Sequence, residues 1–217
     1  MGKWQDIYRS LEAAGVDVSK QLEGTAWLDR FIPPSPQHAG KMLDLGCGLG
    51  ADMLRCAQLG FTPYGLDLEQ KAVDFVQKTH GFTSQPHNFC QPLPFDDQTF
   101  SLVLSRLAVH YLNMAEAEKL FKEVHRILQA RGKLLFVVNS KRHLELGLQY
   151  NYADALEVSP NFWHLPHDHM KRSYLFYTPQ LAKELLGDGW TWHYLQEEAF
   201  THWGIDKRVV IGVAEKR

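Results

Sequence analysis

Cysteine is scarce in this chain of 217 residues, with only Cys47, Cys56 and Cys90 present. Their odd number and the lack of any CxxC spacing exclude a disulfide framework and a zinc knuckle, and fit reduced thiols in a cytoplasmic protein. Long apolar runs are missing as well. The longest, Leu134 to Val138, covers about five residues where a membrane-spanning helix needs about 20. The opening MGKWQDIYRS is too polar for a secretory leader, and Asp6 stands where a myristoylation signal wants Ser or Thr. Positive charge is not in excess either. Lys and Arg number 23 against 25 Asp and Glu, a net charge of −2, and the basic residues are spread along the chain, which argues against nucleic acid as a partner. What remains is 45% hydrophobic and 22% charged, the balance of a folded domain. The length predicts one domain over 1–217, with a helical cap at 1–38 and a lid inserted at 140–177.

Strands and helices alternate through the middle of the chain. KMLDLG reads as a strand entering a glycine turn, ADMLRCAQLG as a helix stopped by Gly60, PYGLDL as a second strand and EQKAVDFVQKTHG as a helix ending at Gly81. A weak strand follows near Thr83 to Asn88, then TFSLVLS, a helix from about Ala115 to Gln129, and the strand KLLFVVN after a turn at Gly132. This order predicts an α/β domain with a mostly parallel sheet. Two helices are expected before it, around Trp4 to Ala14 and Ser19 to Phe31. After it, a helix begins at Thr178 and Pro179, and WTWHYLQEEAF and KRVVIGVAEK form an antiparallel strand pair. Residues 140–177 read as irregular, and the charged residues Glu116, Glu118, Lys119, Lys122 and Glu123 as a solvated helix face.

The segment LDLGCGLGAD leaves a strand and opens a helix, so main-chain amides there meet a ligand that the glycines let approach. Gly46, Gly48 and Ala51 satisfy the GxGxxG/A dinucleotide fingerprint, and Asp67 lies about 20 residues beyond the first glycine, where a ribose-binding acid belongs. Spacing leaves two ligand classes open. Asp44 separates them: a carboxylate at the mouth of the first strand repels a pyrophosphate in a low-dielectric pocket and favours a ligand carrying an ammonium and a sulfonium.

With LDLGCGLGAD, the acid in GLDL, NFCQPLPFDDQTFSLVLS, LAVHYL and HRILQARGKLLFVV, the chain from Lys41 to Val138 resembles the class I S-adenosylmethionine-dependent methyltransferases, most like the small-molecule type-11 and tellurite-resistance-like branch. The resemblance implies a three-layer Rossmann-like fold with a seven-stranded sheet of order 3-2-1-4-5-7-6, strand 7 antiparallel. It implies S-adenosyl-L-methionine as cofactor and a small-molecule methyl acceptor, on a protein that is a monomer or homodimer. Asn88 stands where the family commonly has an Asp that accepts from the adenine amino group, and the amide of Phe89 is expected to face the ring. Ser101 replaces the usual Asp after Phe100. Cys47, Gly50, Leu68 and Ser105 complete the expected cofactor set with Asp44, Gly46, Gly48 and Asp67.

For the acceptor, His110 after the fourth strand lies at the sheet edge where open α/β folds bind ligands. It is the first catalytic candidate, with His167 and Tyr174 from the lid. Arg106 is placed to pair with an anion. The lid segment FWHLPHDHMKRSYLFY brings Trp163, His164 and His169 toward the substrate, and Trp4 and Tyr8 share one face of the first helix, a segment that in this family often closes over the cofactor. His164, His167, Asp168 and His169 have the ligand types for zinc or nickel, but Pro166 breaks helical geometry, and no metal is expected. Two other functions fit parts of the pattern: a nicotinamide-dependent oxidoreductase, and a non-catalytic module holding the cofactor as a regulatory ligand.

Overall fold

The computed structural model describes residues 23–33, 40–149, 152–166, 172–202 and 205–217. Strands β1 (Gly40–Leu45), β2 (Phe61–Asp67), β3 (Thr83–Pro86), β4 (Phe100–Arg106) and β5 (Leu128–Asn139) run parallel. Between and after them come helices α1 (Ala51–Gln58), α2 (Gln70–His80), α3 (Met114–Ile127), α4 (Lys141–Leu148) and α5 (Pro179–Leu186). Strands β9 (Trp190–His202) and β10 (Ile205–Lys216) close the chain, β10 lying antiparallel against β5. The sheet order is β3-β2-β1-β4-β5-β10-β9. Its labels depart from the expected 3-2-1-4-5-7-6 because the lid contributes three strands of its own, β6 (Leu156–Ser159), β7 (Phe162–His164) and β8 (Ser173–Leu175), in a separate antiparallel sheet. The lid is therefore not irregular: α4 and this sheet give it a frame.

The near-continuous apolar runs of β4 and β5 follow from burial on both faces. Leu134, Phe136 and Val138 pack with α3 and α5, while Leu135 and Val137 pack on the opposite face with Trp27, Leu28 and Ile32. Before β1 the described chain holds a 3-10 helix, Glu23–Arg30, within the helix expected over Ser19 to Phe31, of which 19–22 lie outside the described residues. Arg30 pairs with Glu198 of β9 at 2.9 Å and fastens that helix to the sheet. Trp4 to Ala14 lies outside the described residues. Helix α3 starts on a capping box, Asn113 accepting from the Glu116 amide and Glu116 from that of Asn113.

Two acids read as solvated have structural partners. Glu116 closes that cap. Glu123 accepts the Leu93 amide at 2.9 Å, and Arg126, forked on Glu123, also donates to the Phe95 carbonyl at 2.8 Å. Together they pin the PLPF loop that leads from β3 into β4.

Candidate active site

Strand β1 lies between β2 and β4, so its C-terminal end opens at the centre of the sheet where the strand order reverses. The chain leaves it through Gly46 at φ 82°, where a Cβ would lie 2.3 Å from the Ala108 Cβ. Only glycine fits there. Gly50, also left-handed at φ 80°, caps α1. The loop is held from below by main-chain bonds, Gly46 and Cys47 amides donating to the Leu66 carbonyl at 2.8 and 3.0 Å. The Cys47 side chain is buried, and burial beside Asp44 and Asp67 pushes its thiol well up. Cys47 can meet a ligand through its main chain alone.

Asp67 ends β2 and is no helix cap, since Glu69 holds that place. One of its oxygens accepts the Gly48 amide at 2.9 Å and the other the Glu69 amide at 3.0 Å. The carboxylate thereby joins the glycine loop to the start of α2. Burial raises its pKa while these two N–H groups hold it down. Leu68 beside it is 64% exposed, a large apolar side chain open to solvent at the rim of the loop.

Asp44 is 2% exposed at the end of β1. Asp52, in the first turn of α1, accepts from Arg106 Nε at 2.7 Å, with side chains 5% and 12% exposed. Burial drives both carboxyls up; Asp52 pushes Asp44 further, and Arg106 pulls against burial on each. Arg106 was expected on a substrate anion. The structure gives its guanidinium to Asp52 instead, a buried partner that short-range patterns do not reveal.

Past β3, the side-chain oxygen of Asn88 accepts the Cys90 amide at 3.0 Å and shapes a tight turn. That oxygen keeps a second lone pair for a ligand donor. Phe89 is half-buried against the main core. Ser105, expected at the cofactor, is buried and donates its hydroxyl to the Leu45 carbonyl at 3.2 Å, so its side chain ties β4 to β1. Just after β4 the chain turns at Leu107 with φ 54°, an uncommon conformation for a residue other than glycine, at the edge that faces a ligand.

This turn delivers His110, 2% exposed. Its Nδ1 accepts the Asn139 amide at 3.4 Å, and its ring packs on Tyr111 and Tyr174 with centroids 4.6 and 5.6 Å away. The Tyr111 and Tyr174 rings meet at a tilt of 43° with centroids 5.2 Å apart, and the Arg172 guanidinium lies 5.3 Å above the Tyr111 ring. Half-buried Trp163 packs against the same cluster, and His164 Nδ1 lies 3.3 Å from the Ser173 hydroxyl. Of the expected acceptor-side residues, the structure brings together His110, Tyr174 and Trp163. Tyr111 and Arg172 are additions that the sequence reading missed; the aromatic at Tyr111 beside His110 was the available signal. Trp4, Tyr8, His167 and His169 lie outside the described residues. Among the described residues no three His, Cys, Asp or Glu side chains gather as metal ligands, and no helix is long and apolar enough to cross a membrane.

Comparison with known proteins gives consistent matches. The sequence profile of the Methyltransferase domain family matches residues 43–136. The Bacillus subtilis protein YqeM, named as a methyltransferase, is 34% identical over 146 residues, covering 64% of this chain and 57% of its own length. The Encephalitozoon cuniculi protein ECU09_1500, likewise named, is 31% identical over 165 residues and 73% of each chain. The chain thus spans little more than half the length of YqeM. A crystal structure of a Methanosarcina mazei protein described as a SAM-dependent methyltransferase shares the fold with a TM-score of 0.71 at 20% identity, over 83% of this chain and 93% of that one.

Proposed function

The chain belongs to the S-adenosylmethionine-dependent methyltransferase family, and from that premise we propose that it methylates a small-molecule acceptor at oxygen, nitrogen or sulfur. The observation that carries the reading is the acidic floor of the glycine loop. Asp44 and Asp52 are both buried, and Asp52 is paired with Arg106. Such a floor repels a pyrophosphate and attracts a cationic ligand head. The residues fit the family's cofactor in other respects. Asp67 keeps lone pairs toward a ribose, exposed Leu68 offers an apolar surface, and Asn88 retains an acceptor site for an adenine amino group.

When bound, the cofactor would supply a methyl carbon already activated by its sulfonium, open to an acceptor lone pair in line with the departing sulfur, which would keep the bonding pair. The protein's contribution is then placement and exclusion of water. Well-oriented reactants gain roughly 7–11 kcal/mol over free collision. His110, Tyr111, Tyr174 and Trp163 wall the acceptor side in this account, and the lid sheet carries the last two. His110 Nδ1 accepts from the Asn139 amide at 3.4 Å, which fixes the ring at this wall. His110 packs beside the acceptor in this account, and a proton carried by the acceptor atom leaves to solvent.

The test is transfer of labelled methyl from S-adenosylmethionine to a panel of thiols, phenols, amines and metalloid oxyanions. The reading expects label in one of these classes. Tight S-adenosylhomocysteine binding with no transfer to any of them, or to a cell extract freed of macromolecules, contradicts it and leaves a regulatory binding module.

A further inference from the structure

Strand β5 ends its buried apolar run, Leu134 to Val138, on an amide. Asn139 is 4% exposed, and its Oδ1 is buried with no hydrogen-bond partner among the described residues. Resting on the methyltransferase reading above, we propose that Asn139 is a specificity-determining residue of the acceptor site. Its Oδ1 receives the O–H or N–H of a hydroxyl or amine acceptor and so favours these over a thiol.

Placement carries the argument. Strand β5 runs parallel beside β4, so Asn139 stands at the C-terminal edge of the sheet, where open α/β folds bind ligands. Its main-chain amide meets His110 Nδ1 at 3.4 Å, which puts the two residues in one corner of the site. Two residues earlier, the Val137 carbonyl takes the Leu107 amide at 2.8 Å and holds the left-handed turn after β4 against the same strand end. The Asn139 carbonyl accepts the Tyr177 amide at 2.9 Å. Both main-chain groups are therefore engaged, and the side-chain oxygen is what remains. Tyr177 shows the contrast. Its hydroxyl is also buried without a partner among the described residues, but that ring is 0% exposed within the main core beside α3 and α5. Asn139 follows Leu135 and Val137 on the other face, at the end of its strand.

Leucine has nearly the shape of asparagine and would extend the apolar run without stranding a polar atom. A buried acceptor left unpaired is destabilising, whereas an apolar group of the same shape is close to neutral. Sites that break such a rule are where a ligand completes the structure. A hydroxyl or amine meets Oδ1 with a full hydrogen bond, and a thiol only with a weak one. That bond turns the acceptor's lone pair without moving its proton to Asn139. As the acceptor atom bonds to the methyl carbon, sulfur keeps the old bonding pair and the acceptor's proton goes to solvent.

The test joins thermal unfolding of the full chain, S-adenosylhomocysteine binding, and labelled-methyl transfer from S-adenosylmethionine to the panel above, with phenol, aniline and benzenethiol as matched members. Asn139→Leu is expected to melt at or above the wild-type temperature and to bind S-adenosylhomocysteine within about twofold of wild type. Its KM for the hydroxyl or amine acceptor rises by about tenfold or more, with kcat changed less and any transfer to the thiol within about twofold. Asn139→Asp, which keeps an oxygen in that place, retains transfer to the hydroxyl or amine. A melting temperature lower by more than about 4 °C, or failure of Asn139→Leu to fold, shows that the amide is structural and overturns the proposal. Wild-type transfer confined to thiols, or an unchanged KM in Asn139→Leu, as when Oδ1 holds only a water, also overturns it and spares the methyltransferase reading. No transfer from the wild type to any member of the panel overturns both.

Discussion

The two halves of the site are built by different means. The glycine-loop half is made of main-chain geometry: positive φ at Gly46 and Gly50, amides tied to Leu66, and Asp67 bridging two loops. The proposed acceptor half is made of side chains: the rings of His110, Tyr111 and Tyr174 meet, with the Arg172 guanidinium over Tyr111, and two of the four come from an insert more than sixty positions further along the chain. A ligand common to a family needs a fixed backbone cradle, whereas a ligand that varies is served by side chains on a separate small sheet. If that division is real, substitutions in one half leave the readout of the other unchanged.

The largest effect is expected at Gly46→Ala. The added methyl overlaps Ala108 and the residue must hold φ 82°, so overpacking of about 1–3 kcal/mol and a left-handed cost of about 1–2 kcal/mol fall on one loop. Denaturant unfolding should show the loss, and S-adenosylhomocysteine affinity should drop by about a hundredfold or more. Retained affinity would mean the loop is not the cradle.

Next comes Asp67→Ala, which strands the Gly48 and Glu69 amides and removes the proposed ribose acceptor. Affinity is expected to fall by about 10- to 100-fold, equivalent to one or two charge-assisted hydrogen bonds. His110→Ala sharpens the comparison from the other side. Methyl transfer should fall by about tenfold or more, in the range of a lost positioning contact, while S-adenosylhomocysteine affinity moves less than about twofold. Equal losses in both would break the division into halves.

How much of this was legible in the sequence follows the same line. LDLGCGLGAD leaves a strand and opens a helix as its pattern predicts, and Asp67 ends the next strand, because both are set by neighbours in sequence and by backbone. The alternation of strands and helices likewise gave the sheet, because β4 and β5 are apolar on both faces. What escaped depended on distant partners. Arg106 read as a partner for a ligand anion, but its Nε donates to Asp52, on a helix more than fifty positions earlier. Ser105 looked available but serves the Leu45 carbonyl. The short polar-aromatic alternation at 156–164 and 173–175 carried too few residues per strand to signal a sheet. Glu123 sat on a helix face whose period predicts solvent, and only the returning PLPF loop makes it a partner.

The smallest effect concerns that residue. Arg126 holds the Glu123 carboxyl below its ordinary value, chiefly by their hydrogen bond. A depressed folded pKa contributes stability above the unfolded value of 4.5 and loses it as pH falls through the folded value. Glu123→Gln should therefore cost about 1 kcal/mol near neutral pH, a partly exposed pair discounted for screening, and the gap to wild type should close below about pH 4. Thermal unfolding across that range reads it, and neither ligand affinity nor transfer should change.

The central claim is that the acidic glycine loop selects an S-adenosyl ligand, which carries an ammonium, over a pyrophosphate one. Parallel calorimetric titration of the protein with S-adenosylhomocysteine and NADH tests it most directly. Micromolar binding of the first with no heat from the second is the predicted result; binding of NADH with none of S-adenosylhomocysteine would contradict it.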